Sequence, residues 1–307
     1  MKYGSVIVTY NRKDKLVQAL DSLLNQTYPP QAIYLVDNNS NDGTRELLTK
    51  KGYTDNSIIH YYRLDQNIGG SGGFYYGLKK AATDRSCDYL SISDDDAIFE
   101  RDYFERINVA HLKYPDVKAF CGTVRNQDGE IQTDHRRKIT NHRWIQEQVI
   151  AVDSYHSNFW VDTFSFVGCV ISSEVIREIG LPRQEYFIYY DDTEYSLRVR
   201  SKTKVLNVSN AIVHHLVKSI NNDQVELSWK FYYQIRNSTL MRREHSNWKL
   251  LVPYLLYNQL RLNYFVLTSS KFKGIRKRAL KIYNDGFKDG MKGITGKNQR
   301  YLPGKIC

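Results

Sequence analysis

A chain of 307 residues, 41% hydrophobic and 25% charged, can bury one large core or two, and its composition excludes a fibrous, low-complexity or disordered protein. Four cysteines (Cys87, Cys121, Cys169 and Cys307) show neither metal-ligand spacing nor a disulfide framework, and residues 1–8 read as a strand rather than a signal peptide, so a cytoplasmic location is expected. The net charge of +11 is uneven: residues 216–307 hold 18 Lys and Arg against 5 Asp and Glu, and the rest holds 26 against 28. A near-neutral body thus carries a basic tail suited to an anionic partner. The 24 tyrosines offer apolar rings with polar tips, which suit sugar clefts and interfacial surfaces.

In chain order, residues 3–10 predict a strand, and 12–26 a helix with Leu16, Ala19, Leu20, Leu23 and Leu24 at helical spacing. Residues 32–36 predict a second strand ending at Asp37, 58–64 a third, 71–82 a second helix and 89–93 a fourth strand. This alternation predicts an α/β fold with a mostly parallel sheet covered on both faces. Ligands of such sheets sit at the carboxyl ends of the strands. Thr9-Tyr10-Asn11, Asp37-Asn38-Asn39 and Asp94-Asp95-Asp96 all fall there. Residues 122–163 read as polar and irregular, with Arg125, His135, Arg136, Arg137, His142, Arg143, Trp144 and Trp160. Residues 164–172 read as one buried strand containing Gly168, and 191–200 as a helix with Leu197 and Val199 inward. Residues 228–283 read as mostly helical. Within them, 250–267 are apolar but broken by Pro253, Asn258, Gln259, Arg261 and Asn263, which predicts an amphipathic surface helix rather than a membrane span.

The acidic triplet is the most specific chemical feature. Asp94 and Asp96, two apart on an extended segment, share a face. Paired carboxylates repel unless a proton or cation lies between them, and a hard divalent cation there can also hold a diphosphate. Residues 37–44 have the composition of a strand-to-helix turn, or place Asp37 against a base or ribose. Asn67-Ile68-Gly69-Gly70-Ser71-Gly72-Gly73 opens a helix with free amides that attract an anion, with spacing unlike a Rossmann fingerprint. Asp191 and Asp192 in a first helical turn serve the helix dipole or supply a general base. His214 and His215 are structural or complete a metal site.

Taken together, Val6-Ile7-Val8-Thr9-Tyr10-Asn11-Arg12, the Asp37 cluster, Asn67-Ile68-Gly69-Gly70, the Asp triplet, Asp191-Asp192 and the later histidines resemble inverting family 2 glycosyltransferases of the GT-A fold, over about residues 3–220. The glycine run with an all-Asp triplet is most similar to bacterial galactofuranosyltransferases. Phe231-Tyr232-Tyr233-Gln234-Ile235-Arg236-Asn237 resembles a stretch of rhamnosyltransferases in the same group. The resemblance implies that Thr9, Asn11, Arg12, Asp37, Asn39, Asn67, Gly69, Gly70, Gly73, Asp94 and Asp95 serve the donor nucleotide. It implies Mn2+ or Mg2+ on Asp94, Asp96 and His214 or His215. Asp192 would be the catalytic base, with Asp191 as runner-up. His156 and Trp160 are candidate acceptor contacts.

The expected reaction moves a sugar, galactofuranose from UDP-galactofuranose first and rhamnose from dTDP-rhamnose second, to a hydroxyl of a glycan or lipid-linked acceptor in cell-surface glycan synthesis. Residues 1–220 would form the transferase domain and 221–307 a helical region for acceptor, membrane or self-association contacts. The basic stretch 271–281 fits peripheral attachment at the inner face of the plasma membrane. No nucleic-acid-binding module is recognisable, so nucleic acid is not an expected partner. A catalytically inactive scaffold of the same fold is the alternative of another class.

Overall fold

The computed structural model describes residues 1–217 and 225–304, apart from the side chains of Trp248 and Lys249. Cys307 and the expected domain boundary at residues 220 and 221 lie outside the described residues. The first half runs β1 (Tyr3–Thr9), α1 (Lys13–Leu24), β2 (Ala32–Asp37), α2 (Thr44–Lys50), β3 (Ile59–Arg63), α3 (Gly69–Asp84), β4 (Tyr89–Asp94), β5 (Ala97–Phe99), α4 (Tyr103–Lys113) and β6 (Ala119–Arg125). There follow β7 (Arg136–Asn141), β8 (Gln146–Val149), β9 (Phe159–Val161), β10 (Thr163–Phe164), β11 (Cys169–Ser172), α5 (Ser173–Ile179), α6 (Asp191–Arg200) and β12 (Val205–His215). The C-terminal helices are α7 (Lys230–His245), α8 (Trp248–Thr268) and α9 (Arg276–Lys292).

The main sheet has the order β3-β2-β1-β4-β11-β6-β12-β5, with β9 also on β12. It is parallel from β3 to β4 and again between β6 and β12; β11, β5 and β9 run antiparallel to their neighbours. Every residue of β1 and β2 is buried, because helices cover both faces. Ile7, Leu16, Leu20, Leu35, Phe104 and Phe120 fill one layer. Val6, Val36, Phe74, Leu78, Ile92 and Tyr195 fill the other. Tyr232, Tyr233, Val266, Ala279, Ile282 and Tyr301 form a third core within the C-terminal helices, joined by Phe187 from the body.

Two expectations need correction. Residues 122–163 are not irregular: β7 and β8 pair antiparallel, and β10 adds a third strand to this small sheet. Its polar sequence hid it because one of its buried groups is an arginine. Arg136 is fully buried and donates to the carbonyls of Gly122, His135 and Val167. Residues 164–172 are not one strand. Gly168, at φ +67°, breaks the run, and its carbonyl accepts from the buried Tyr103 hydroxyl. β10 therefore joins the small sheet and β11 the large one.

The surface helix expected over 250–267 is α8. Leu251, Leu255 and Val266 face inward, while Leu250, Tyr257, Leu260, Tyr264 and Leu267 are exposed at helical spacing. Among the described residues, no helix is long and apolar enough to cross a membrane.

Candidate functional site

β1 and β4 are parallel neighbours, with Val8 opposite Asp94, so the segment after β1 and the acidic triplet share one rim. Thr9 donates its hydroxyl to Asp95 Oδ2 at 2.7 Å. Arg12 Nη1 bridges Asp95 Oδ1 at 3.2 Å and Asp96 Oδ2 at 2.9 Å. Lys15 reaches Asp96 Oδ2 at 3.4 Å and donates to the Leu216 carbonyl at 2.6 Å. The three carboxyls consequently differ. Burial, then the charges of Asp96 and Asp95, pushes Asp94 well up. Burial raises Asp95 to about 6 against the pull of Arg12 and Thr9. Burial opposes ionisation of Asp96 too, but a protonated His215, with Arg12 and Lys15, outweighs it and holds that carboxyl at about 2; with His215 neutral that support is lost and Oδ1 has no donor.

The sequence leaves His214 and His215 open; the strand separates them. β12 pairs with β5 so that His215 lies opposite Ala97 and His214 opposite Ile98. Alternation turns them to opposite sides. His215 Nε2 lies 3.4 Å from Asp96 Oδ1, whereas His214 Nε2 lies 3.3 Å from Glu100 on the other side. His215 Nδ1 meets Gln132 Oε1 at 3.0 Å. An amide oxygen only accepts, so a neutral His215 carries its proton on Nδ1 and aims the Nε2 lone pair at Asp96. Asp96 Oδ1 is buried with no hydrogen-bond partner. His215 Nε2 and Asp96 Oδ1 are two donors that could hold a divalent cation, with Asp94 on the same rim but not drawn together with them into a three-ligand group among the described residues.

A cleft opens beside this rim, lined by Val8, Thr9, Tyr10, Arg12, Asn38, Asn67, Gly69, Gly70, Asp94, Asp95, Phe187, Ile188, Trp229, Lys230 and Pro303. Seven of the eleven residues expected to serve the nucleotide meet there. Four do not. Asp37 is fully buried beneath the cleft, with Oδ1 accepting from the Ser40 amide and Oδ2 from the Tyr61 hydroxyl, both at 2.7 Å. Its neighbour Asn38 faces the cleft instead and ties the glycine turn, accepting from the Ile68 amide and donating to the Gly69 carbonyl. Asn11 accepts from the Asn41 amide and so braces the turn holding Asn39. Gly73 is a packing residue: a Cβ there would meet Val8 Cγ1 at 2.5 Å, so glycine lets α3 lie close on β1. Gly69, at φ +81°, leaves no room for a side chain because the Phe187 carbonyl would lie 2.0 Å from its Cβ.

Asp191 and Asp192 start α6 after a strained loop in which Phe187, Tyr189 and Tyr190 all have φ near +66° to +67°. Burial, then the Asp192 charge, pushes Asp191 to about 7. Asp191 also adds to the upward push on Asp94, so the two carboxyls face one another electrostatically. Asp192 is more open. Its Oδ1 accepts from the Thr193 amide at 2.6 Å and the Thr193 hydroxyl at 3.2 Å, and Arg137 of the small sheet moderates the rise that burial causes. The loop is held by α7. Asn237 Nδ2 approaches the carbonyls of Tyr186, Ile188 and Tyr189 at 2.8–2.9 Å, and Arg236 donates to Tyr186 at 3.0 Å. Both side chains are fully buried. Sequence reasoning gave no role to Arg236, Asn237, Trp229, Lys230, Gln132 or Phe187. The available signal was the Arg236-Asn237 pair three residues after the aromatic run Phe231-Tyr232-Tyr233.

His156 and Trp160 do not join the cleft. Trp160 lies opposite Leu206, at the end of β12 away from His215, with Tyr114 against its ring and Lys204 over it. His156 is exposed in the segment just before it. Glu194, Glu244 and His245 form a further tight group, but Glu194 pairs with Arg198 and His245, and Glu244 with Arg183, so it locks α6 to α7.

An acidic rim, a glycine-opened cleft and a helix-borne carboxylate pair, at the carboxyl ends of a sheet parallel on that side, fit a nucleotide-sugar transferase architecture. The pattern described as "Glycosyl transferase family 2" matches residues 5–179, more than half of the chain, and the chain belongs to that family. It is 24% identical over 264 residues to galactofuranosyltransferase GlfT2 of Mycolicibacterium smegmatis, covering 78% of this chain and 40% of the relative. It is 23% identical over 311 residues to the dTDP-rhamnosyl transferase RfbF of Shigella flexneri, covering 95% and 96%. The chain thus spans less than half of GlfT2 and nearly all of RfbF. Among solved structures, GalNAc-T7 with UDP, GalNAc and Mn2+ superposes with a TM-score of 0.62 at 15% identity, over 96% of this chain and 56% of that one. TarS residues 1–349 of S. aureus with UDP-GlcNAc gives 0.61 at 14%, over 96% and 82%. These likenesses show the GT-A fold.

Proposed function

We propose that this chain is a divalent-metal-dependent, inverting glycosyltransferase that moves galactofuranose from UDP-galactofuranose to a hydroxyl of a glycan or lipid-linked acceptor. The observation that carries the reading is the pairing of the orphaned Asp96 Oδ1 with His215 Nε2 beside the cleft at the carboxyl end of β4. Asp94, Asp96 and His215 would hold Mn2+ or Mg2+, which neutralises charge on a departing nucleoside diphosphate. The Asn67–Gly70 turn lets a donor approach the backbone closely. Asp192, oriented by Thr193, takes the proton from the acceptor hydroxyl. The acceptor oxygen bonds to the anomeric carbon as the bond to the diphosphate oxygen breaks on the opposite face, so configuration inverts. The electron pair of the broken bond stays on the diphosphate.

The GlfT2 similarity and the all-Asp triplet support galactofuranose. A rhamnosyl donor is the second reading, favoured by the end-to-end match with RfbF. The exposed apolar face of α8 beside Lys271, Lys273, Lys277, Arg278 and Lys281 supports peripheral attachment to an anionic membrane on the cytoplasmic side. The experiment is nucleoside diphosphate release from a panel of UDP-galactofuranose, dTDP-rhamnose and UDP-GlcNAc. Release from UDP-galactofuranose that Asp192→Ala abolishes is the expected result. Preference for dTDP-rhamnose replaces the donor and keeps the mechanism. No release from any donor, with or without acceptor, overturns the reading.

A further inference from the structure

Beside the divalent cation it is read to hold, the cleft can offer a diphosphate only the cations of its own lining. Arg12, one of two cations lining the cleft, is already bound to Asp95 and Asp96. Lys15 is engaged by Asp96 and the Leu216 carbonyl. Lys297, near the cleft mouth, donates to the Asn67 carbonyl and does not line the cleft. The remaining lining cation is Lys230, in the first turn of α7, outside the segment that matches the family. Among the described residues, its ammonium makes no hydrogen bond and no ion pair. It sits instead 5.9 Å from the ring centre of Tyr189 and 6.0 Å from that of Trp229. Aromatic faces hold an ammonium in place without using up its N–H donors. The charges that face it are Arg12, which repels it, and Asp94 and Asp96, which attract it.

Resting on the glycosyl-transfer reading, we propose that Lys230 is a catalytic residue contributed by the C-terminal helices. Its ammonium binds the terminal phosphate of the donor's diphosphate and donates a hydrogen bond to the oxygen on which the glycosyl bond's electron pair is left. A point charge with three donors suits a phosphate that gains negative charge as its bond breaks. The position also ties donor binding to the base. Lys230 rests on Tyr189, which stands two residues before Asp191 in the loop held by Asn237. A diphosphate that draws on Lys230 therefore loads the segment that aims the carboxylate pair.

The test is calorimetric titration of the full-length protein with UDP, dTDP and uridine in excess Mn2+, on wild type, Lys230→Gln, Lys230→Met and Lys230→Arg, with thermal unfolding to verify folding. Loss of a charge-assisted hydrogen bond predicts about ten- to hundredfold weaker diphosphate binding by the Gln and Met variants. Uridine affinity should stay as in wild type, and Lys230→Arg should retain most of the diphosphate affinity. Diphosphate binding unchanged in the folded Gln and Met variants overturns the assignment. So does an equal loss for uridine and diphosphate, which would mark Lys230 as a packing residue. Wild type that binds neither UDP nor dTDP would overturn the glycosyl-transfer reading itself, and the proposal with it.

Discussion

Asp191 and Asp192 are adjacent in the chain and meet different surroundings. Asp191 is buried and titrates at about 7 against an ordinary 3.8, because burial and then the Asp192 charge disfavour its ionised form. Unfolded, it releases its proton near 4; folded, near 7. Between those values the folded state holds the extra proton, so stability falls as pH rises across the window and levels off above it. Asp191→Asn removes a buried charge that exists only at the upper end. Thermal unfolding should show the variant a few degrees more stable than wild type at pH 8 and little different near pH 4. An equal difference at both pH values would contradict the assignment. Both acids were legible in the sequence as a pair at a helix start, but their separate environments were not, since Arg137 and Thr193 act on one and Asp94 faces the other. The choice between His214 and His215 was hidden for the same reason, because only the pairing of β12 with β5 gives them different sides.

At the scale of elements, the loop that leads into Asp191 and Asp192 is tied to α7. Three non-glycine residues in the left-handed region cost on the order of 1 kcal/mol each and persist only where the surroundings hold them. Asn237 supplies that hold through contacts with the carbonyls of Tyr186, Ile188 and Tyr189. Asn237→Ala should cost about 1–3 kcal/mol of stability through unsatisfied buried carbonyls. It should also lower kcat about tenfold or more while leaving UDP affinity near wild type, as steady-state kinetics and calorimetry would measure. A variant with unchanged kcat would show that the clamp does not aim the base. The strands β1 and β2 were readable because they are buried throughout and rich in bulky apolar residues, and the segments after them carry Asn, Asp and Gly. The small sheet was not, because its polar residues are satisfied by partners distant in sequence, as Arg136 is by Gly122 and Val167.

For the whole molecule, the C-terminal helices contribute more than a basic tail. α7 and the residue before it bring Lys230 and Trp229 to the cleft, Trp229 against Phe187, and α8 turns outward an apolar face, with Leu260 and Tyr264 each 68% exposed. An exposed apolar stripe beside Lys271, Lys273, Lys277 and Arg278 should bind anionic vesicles and release in high salt. Leu260→Glu with Tyr264→Glu should reduce sedimentation with phosphatidylglycerol vesicles at least tenfold without changing UDP affinity. Equal binding to neutral and anionic vesicles would contradict the electrostatic part. The amphipathic pattern of α8 was legible from sequence alone. The arrival of α7 at the cleft was not, because it depends on packing between parts of the chain that share no local pattern.

Asp94, Asp96 and His215 are proposed to form a metal-dependent nucleotide site. The most direct measurement is UDP affinity with Mn2+ and with chelator, in wild type, Asp96→Asn, His215→Ala and His214→Ala. Metal-dependent UDP binding is expected in wild type and in His214→Ala, and its loss, by a factor of about 100, in Asp96→Asn and His215→Ala. UDP binding indifferent to Mn2+, or abolished by His214→Ala and spared by His215→Ala, would contradict it.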